Sequence, residues 1–247
     1  MKKILLFCLA TFGLVACNDD LRLEYPSAKM KSFHLIDCYQ PWDYVELETY
    51  TNSQTGAQAI SVYFEDDTPC NEIVSSEYAA VWNKSSKQTY VVSSEGFDAL
   101  AAKNNDEGYE WDVLVVYDIV GTTASAIHCH TALERGLKKI EVVSDSDFDK
   151  EHPAGTSLND VVKFCGMSYS QFLIDDADKS KVNVDDRSLG AMEKLCSALS
   201  EFDLKVLNGN AALQFEKNPT LGKKHNITVS FTDVDGEVFT DTVEVNF

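Results

Sequence analysis

The chain has 247 residues, 44% of them hydrophobic and 25% charged, a composition that folds around a core and does not stay disordered. Lys and Arg number 21 against 40 Asp and Glu, a net formal charge of −19. That excess disfavours nucleic acid as a partner, since a phosphate backbone needs a basic patch, and equally disfavours docking of the folded body on anionic lipid.

Met1-Lys2-Lys3 precedes an apolar run, Ile4 to Ala16, too short to span a bilayer as a helix. A basic tip, a short apolar stretch and a small-residue exit are the pattern of a secretory signal over residues 1–16. The run closes on Leu14-Val15-Ala16-Cys17, followed by Asn18-Asp19-Asp20. This segment resembles the lipobox of bacterial lipoproteins, with all four positions matching. The resemblance implies diacylglycerol on the Cys17 sulfur, cleavage before Cys17, and acylation of the new amino terminus. Multiple acyl chains anchor far more firmly than one. Asp19-Asp20 is similar to the acidic export tag of surface lipoproteins in Bacteroidetes, which implies an outer-membrane lipoprotein of the cell envelope, exposed at the surface. Cleavage would remove Lys2 and Lys3 and take the net charge from −19 to −21.

Residues 17–33 read as the lipidated Cys and a polar tether, and residues 34–247 as a β-rich soluble domain with a possible division near 121–136. Seven cysteines occur; five remain beyond Cys8 and Cys17, an odd number, without a CxxC spacing. Most are expected as buried apolar fillers. A Cys38–Cys70 bridge is the first pairing to consider in an exported chain.

Tyr44 to Tyr50 alternates in polarity, and Ala59 to Phe64 follows after TNSQTG, which predicts a hairpin. A further strand is expected at 89–92, then a short helix through Phe97, Leu100 and Ala101. Trp111 to Val120 is the most apolar run of the mature chain and reads as a central strand buried on both faces. Another strand is expected at 137–143. Ser157 to Asp160 fits a loose capping box ahead of Leu158, Val161, Val162 and Cys165 at helical spacing. Leu189, Met192, Leu195, Cys196 and Leu199 form one stripe, which predicts a helix over 187–201. Residues 202–206 and 212–215 read as strands. At the C-terminus, Ile227, Val229 and Phe231 alternate up to an Asp-Gly turn at 235–236. Phe239, Val243, Val245 and Phe247 then share one face, with Glu237 and Asp241 on the same parity. The expected class is α+β and β-rich, with antiparallel sandwich-like sheets and two or three short helices.

Three clusters are candidates for chemistry. His128 and His130 share a strand face and could chelate a transition metal if further ligands converged, with Cys129 pointing away. Asp145, Asp147 and Asp149 alternate like the start of a calcium loop, but Lys150 and Thr156 stand where the loop motif needs Gly and Glu. What stays open at these acids is a weak, irregular Ca2+ site, and no resident cofactor is expected. Tyr39, Trp42 and Tyr44 surround Pro41 and could form a stacking platform for sugar rings or a protein. The acids at 175–178 and 185–186 are weak candidates for a glycosidase pair. No nucleophile elbow, HExxH, P-loop or dinucleotide fingerprint occurs. The reading that fits best is a non-catalytic, membrane-anchored envelope module binding a protein or glycan. A secreted glycan hydrolase and a structural subunit of an envelope complex are the alternatives.

Overall fold

The computed structural model describes residues 27–53, 56–66, 73–76, 78–79, 94–117, 124–127, 130–175 and 177–247. The fold is strand-rich α+β, built from antiparallel sheets in a sandwich-like arrangement with short helices. The strands are β1 (Ser27–Ser32), β2 (Cys38–Gln40), β3 (Tyr44–Thr51), β4 (Gln58–Glu65), β5 (Ile73–Val74), β6 (Trp111–Tyr117) and β7 (Ala124–Ile127). They continue with β8 (Thr131–Leu133), β9 (Leu137–Ser144), β10 (Val162–Met167), β11 (Ala191–Leu195), β12 (Asn210–Phe215), β13 (Lys224–Asp233) and β14 (Val238–Asn246). Among the described residues, the α-helices α1 (Phe97–Lys103) and α2 (Glu201–Leu204) accompany them.

One lobe pairs a five-stranded sheet, ordered β11-β10-β12-β4-β3, with a three-stranded sheet, ordered β14-β13-β9. Period-two patterning explains the layer between them. Ile60, Val62 and Phe64 of β4 meet Ile227, Val229 and Phe231 of β13 in one buried cluster, and the Phe64 and Phe231 rings lie edge to face at 5.3 Å. Each such buried ring contributes about 1.5–3 kcal/mol. Asp241 sits on the inward parity of β14 for a reason the pattern alone does not give. Its carboxylate accepts the Leu47 amide of β3 at 2.8 Å and so stitches the two sheets at their seam.

The second lobe holds the sheets β1-β6-β7 and β5-β2-β8, with β2 and β8 the one parallel pair among the described strands. Its core gathers Leu35, Ile36, Tyr39, Phe97, Trp111, Val113, Val115, Tyr169 and Val206. β8 joins the lobes, with Ala132 in one core and Leu133 in the other. Both cores draw on alternating stretches of chain, so no single cut at 121–136 separates them.

Five local expectations are corrected. The tether to residue 33 stops short, because Ser27–Ser32 pairs with β6 in full register. β6 is central to its sheet but buried on one face only; Asp112 is exposed and meets Lys31 at 3.1 Å. The helix expected over 157–165 is replaced by β10, which pairs with both β11 and β12. The helix expected over 187–201 is a turn, then β11, then a 3-10 turn at Cys196–Ala198. Residues 202–206, expected as a strand, begin in α2. Ser200 caps that helix, accepting the Asp203 amide while the Asp203 carboxylate takes the Ser200 amide. The strand expected at 89–92 lies outside the described residues.

Candidate functional site

The residues singled out in the sequence do not come together. Tyr39 is 0% exposed and belongs to the second core, whereas Trp42, 2% exposed, belongs to the first. Tyr44 alone is at the surface, 40% exposed, so the three make no shared platform. Trp42 instead anchors a junction. Its indole N–H donates to the Arg135 carbonyl at 3.0 Å, and the Arg135 guanidinium lies over its ring at 4.9 Å. His130 is buried, with its ring against Trp111 and Tyr169. His128, Cys17 and Cys70 lie outside the described residues, as therefore do the histidine pair, the anchor and the Cys38–Cys70 bridge. Cys196 is a buried free thiol and Cys165 a half-buried one.

Asp145, Asp147 and Asp149 each serve a separate local bond. Asp145 accepts the Asn226 amide at 3.0 Å, and Asp147 accepts the Ala154 amide at 2.8 Å. Asp149 meets Lys217 at 2.8 Å and His152 Nδ1 at 2.7 Å. Among the described residues, no three His, Cys, Asp or Glu side chains gather as a metal site. The loop is held instead by His152, whose Nε2 reaches Asp160 at 3.0 Å. Burial disfavours the imidazolium, but the bonds to Asp149 and Asp160 outweigh it and raise the His152 pKa above its ordinary 6.5. A raised pKa in the folded state gives stability that is full below pH 6.5 and fades as pH rises through the raised value. Urea titrations across pH 6–9 should show this loss in the parent. His152→Asn should remove the dependence and cost about 1 kcal/mol at pH 6.

The second lobe hides an acidic pair. Asp37 follows Leu35-Ile36 and precedes Cys38-Tyr39, and it is fully buried with both carboxylate oxygens lacking a hydrogen-bond partner. Burial drives its pKa well above the ordinary carboxylate range, only partly opposed by the nearby Ser32 hydroxyl and His130 backbone. Ser32 already donates to the His34 carbonyl at 3.0 Å. Asp106 lies just after α1. Its carboxylate accepts the amides of Leu35 at 2.6 Å and Ile36 at 2.9 Å, and its carbonyl meets His34 Nδ1. Burial pushes Asp106 up to about 6, with the Ile36 and Leu35 amides, His34 and Lys179 limiting the rise. The acid inside an apolar run is the signal that could have marked Asp37. Asp106 carries no such signal, since AKNNDEG reads as an ordinary turn.

Two open clefts flank Phe202, a side chain 48% exposed on the outside of α2. The first, of about 620 Å³, runs along β11 and is lined by Met192, Glu193, Lys194, Phe202 and Asp203 among others. The second, of about 670 Å³, is lined by Lys103, Ile174, Asp175, Phe202 and Lys205 among others. Ile174 is also exposed, at 45%. Within the first cleft, Lys194 Nζ meets Asp203 Oδ1 at 2.5 Å. Although partial burial opposes it, Lys194 and the Ser200 cap hold the Asp203 carboxyl below its ordinary range. Asp203 is thereby fixed as an anion and is unsuited to donating a proton. Sequence reasoning placed Phe202 in a strand and so missed it as a surface feature; the Ser200-x-x-Asp203 cap was the available signal.

No helix among the described residues is long and apolar enough to cross a membrane. No family model, curated protein or solved structure matches the chain.

Proposed function

We propose that this chain is a lipid-anchored module of the bacterial cell envelope that binds a protein or glycan partner without catalysing a reaction on it. The observation that carries the reading is Leu14-Val15-Ala16-Cys17 behind a short apolar leader. The acidic pair Asp19-Asp20 supports an outer-membrane position facing outward. The surface supports binding over chemistry. The two acids with raised pKa values, Asp37 and Asp106, are sealed in a core and do not face a cleft. The clefts beside Phe202 offer instead an exposed ring, an apolar wall and charged rims, the materials of a recognition surface.

The test is cell fractionation of the full chain produced in a Bacteroidetes host. The parent is expected in the detergent-extracted membrane fraction. Cys17→Ser, which removes the sulfur nucleophile and leaves the folded body untouched, should abolish lipid labelling. Equal lipid labelling and equal membrane retention of both chains would contradict the reading.

A further inference from the structure

Sheet edges carry unpaired amides and carbonyls, so a protein must cover them or leave them available to another strand. In the first lobe, the β9 edge is covered. Along β9, Asn159 accepts the Val142 amide at 2.9 Å and donates to the Ile140 carbonyl at 2.8 Å. The amides of Leu158 and Gly155 continue that cover onto Val142 and Ser144, each at 2.8 Å. At the opposite seam, Asp241 occupies the Leu47 amide of β3. β11 is different. It is the terminal strand of the five-stranded sheet and pairs only with β10.

The register fixes which groups point outward. The Ser168 amide donates to the Gly190 carbonyl at 2.8 Å, in line with the pairs Gly166↔Met192 and Phe164↔Lys194. Those even-numbered pairs are the hydrogen-bonded ones, so Ala191, Glu193 and Leu195 direct their backbone groups away from β10. The Ala191 amide is taken by the Ser188 carbonyl at 2.9 Å. The Leu195 carbonyl opens the 3-10 turn at Cys196–Ala198, which leaves the Ala191 carbonyl, both backbone groups of Glu193 and the Leu195 amide without a partner among the described residues. Glu193 and Lys194 are exposed.

The side chains define the two faces of a strand added there. Met192 and Lys194 share the core-side face with Phe164, and beyond them lies the cleft walled by Phe202. Glu193 lies on the other face, where Lys163 alone serves both Glu193 at 2.8 Å and Glu216 at 2.7 Å, leaving one carboxylate in excess. A second copy of this chain is a poor occupant. The antiparallel register that pairs all five residues sets Glu193 opposite Glu193, and like charges facing each other across strands destabilise.

We infer that β11 is an acceptor edge for an extended segment of a partner protein, added antiparallel to Ala191–Leu195, with apolar side chains entering the Phe202 cleft and basic side chains on the Glu193 face. The inference rests on the binding-module reading and specifies its partner's chemistry.

The test uses the full chain in detergent and the synthetic peptide acetyl-Gly-Lys-Val-Lys-Val-Lys-Gly-amide, with binding followed by fluorescence anisotropy. Two further peptides keep the same charge and side chains, one N-methylated at the three Lys amides and the other at the two Val amides. In the inferred register the Lys amides face β11 and the Val amides face solvent. Methylation at Lys should weaken binding at least tenfold, and methylation at Val should change it less than threefold. Glu193→Pro removes an outward amide that β10 does not use, so it should fold and bind the parent peptide at least tenfold more weakly. Equal binding of all three peptides, equal binding to Glu193→Pro, or no binding would overturn the inference. So would a dimer of the chain that Glu193→Pro dissolves. Loss of peptide binding with membrane anchoring through Cys17 intact would remove strand addition and leave the anchored-module reading standing, so the two failures are distinguishable.

Discussion

Arg135→Ala should lower the stability of the chain by about 3 kcal/mol, which for a protein of this size is about 6–12 °C in Tm. The residue stands where β8 passes into β9, at the junction of the lobes. Its guanidinium reaches Asp233 at 3.1 Å and Glu237 at 3.4 Å, and donates to the Trp42 carbonyl at 2.5 Å. It also lies over the rings of Trp42 and Phe239, at 4.9 and 5.3 Å. Asp233 is fully buried, so removing its cation strands a charge, and that stranded charge is the larger part of the cost. The amides of Asp235 and Glu237, each at 2.9 Å from the Asp233 carboxylate, keep the loss from growing further. Arg135→Lys retains the charge but loses the planar fork and the stacking, and should cost about 1–2 kcal/mol. Thermal unfolding followed by tryptophan fluorescence checks both, because Trp42 reports on this junction. Equal Tm values for parent and Arg135→Ala would show that the junction does not depend on this cation.

Asp37→Asn should act in the opposite direction and stabilise the chain at pH 7–8 by about 1–3 kcal/mol. The parent holds a carboxyl in the core with neither oxygen hydrogen-bonded, and burial raises its pKa. An acid whose pKa is raised in the folded state binds more protons folded than unfolded. Its contribution therefore falls as pH climbs from the unfolded value near 3.9 through the raised one. Asp106 follows the same sign, its loss running from the unfolded value near 3.9 up to about 6. The groups around Asp106 are His34, Lys179, Tyr39, Tyr109 and Asp37 itself, whose repulsion of Asp106 the substitution removes, which adds to the gain in the same direction. Parent and variant should therefore converge at pH 4 and separate steadily towards pH 8. Denaturant midpoints measured across that range give the comparison directly. A variant less stable than the parent at pH 8 would mean that the Asp37 carboxylate is held by partners in the folded state.

The parts of the fold legible in the sequence are those where one periodicity has no rival. The C-terminal hairpin is the clearest, since Ile227, Val229 and Phe231 alternate and Gly236 supplies the positive φ of 91° that its turn requires. The β3–β4 hairpin and α1 are of the same kind. The stripe at Leu189, Met192, Leu195, Cys196 and Leu199 shows how a pattern misleads. Gly190 takes φ of 81°, and a Cβ there would lie 2.6 Å from the Ser168 carbonyl oxygen. The left-handed turn sends the chain back beside β10, where sheet pairing over five residues outweighs a helical preference of a few tenths of a kcal/mol per residue. Pairing partners distant in sequence cannot be seen in a local window, and β10 was misread for the same reason. Site prediction failed differently. Tyr39 and Trp42 stand three positions apart in the chain but enter different cores, and the three aspartates of the 145–149 loop are consumed by neighbouring amides, His152 and Lys217. The acceptor edge was not legible at all, because an open edge is a property of the assembled sheet.

If Cys17 is the lipidated first residue of the mature chain, the mass of the amino-terminal peptide measures this directly. Mass spectrometry of that peptide, taken from the membrane fraction of a Bacteroidetes host, is predicted to show a chain beginning at Cys17 and carrying diacylglycerol on its sulfur. A peptide beginning at Met1, or one beginning at Cys17 with an unmodified thiol, would contradict it.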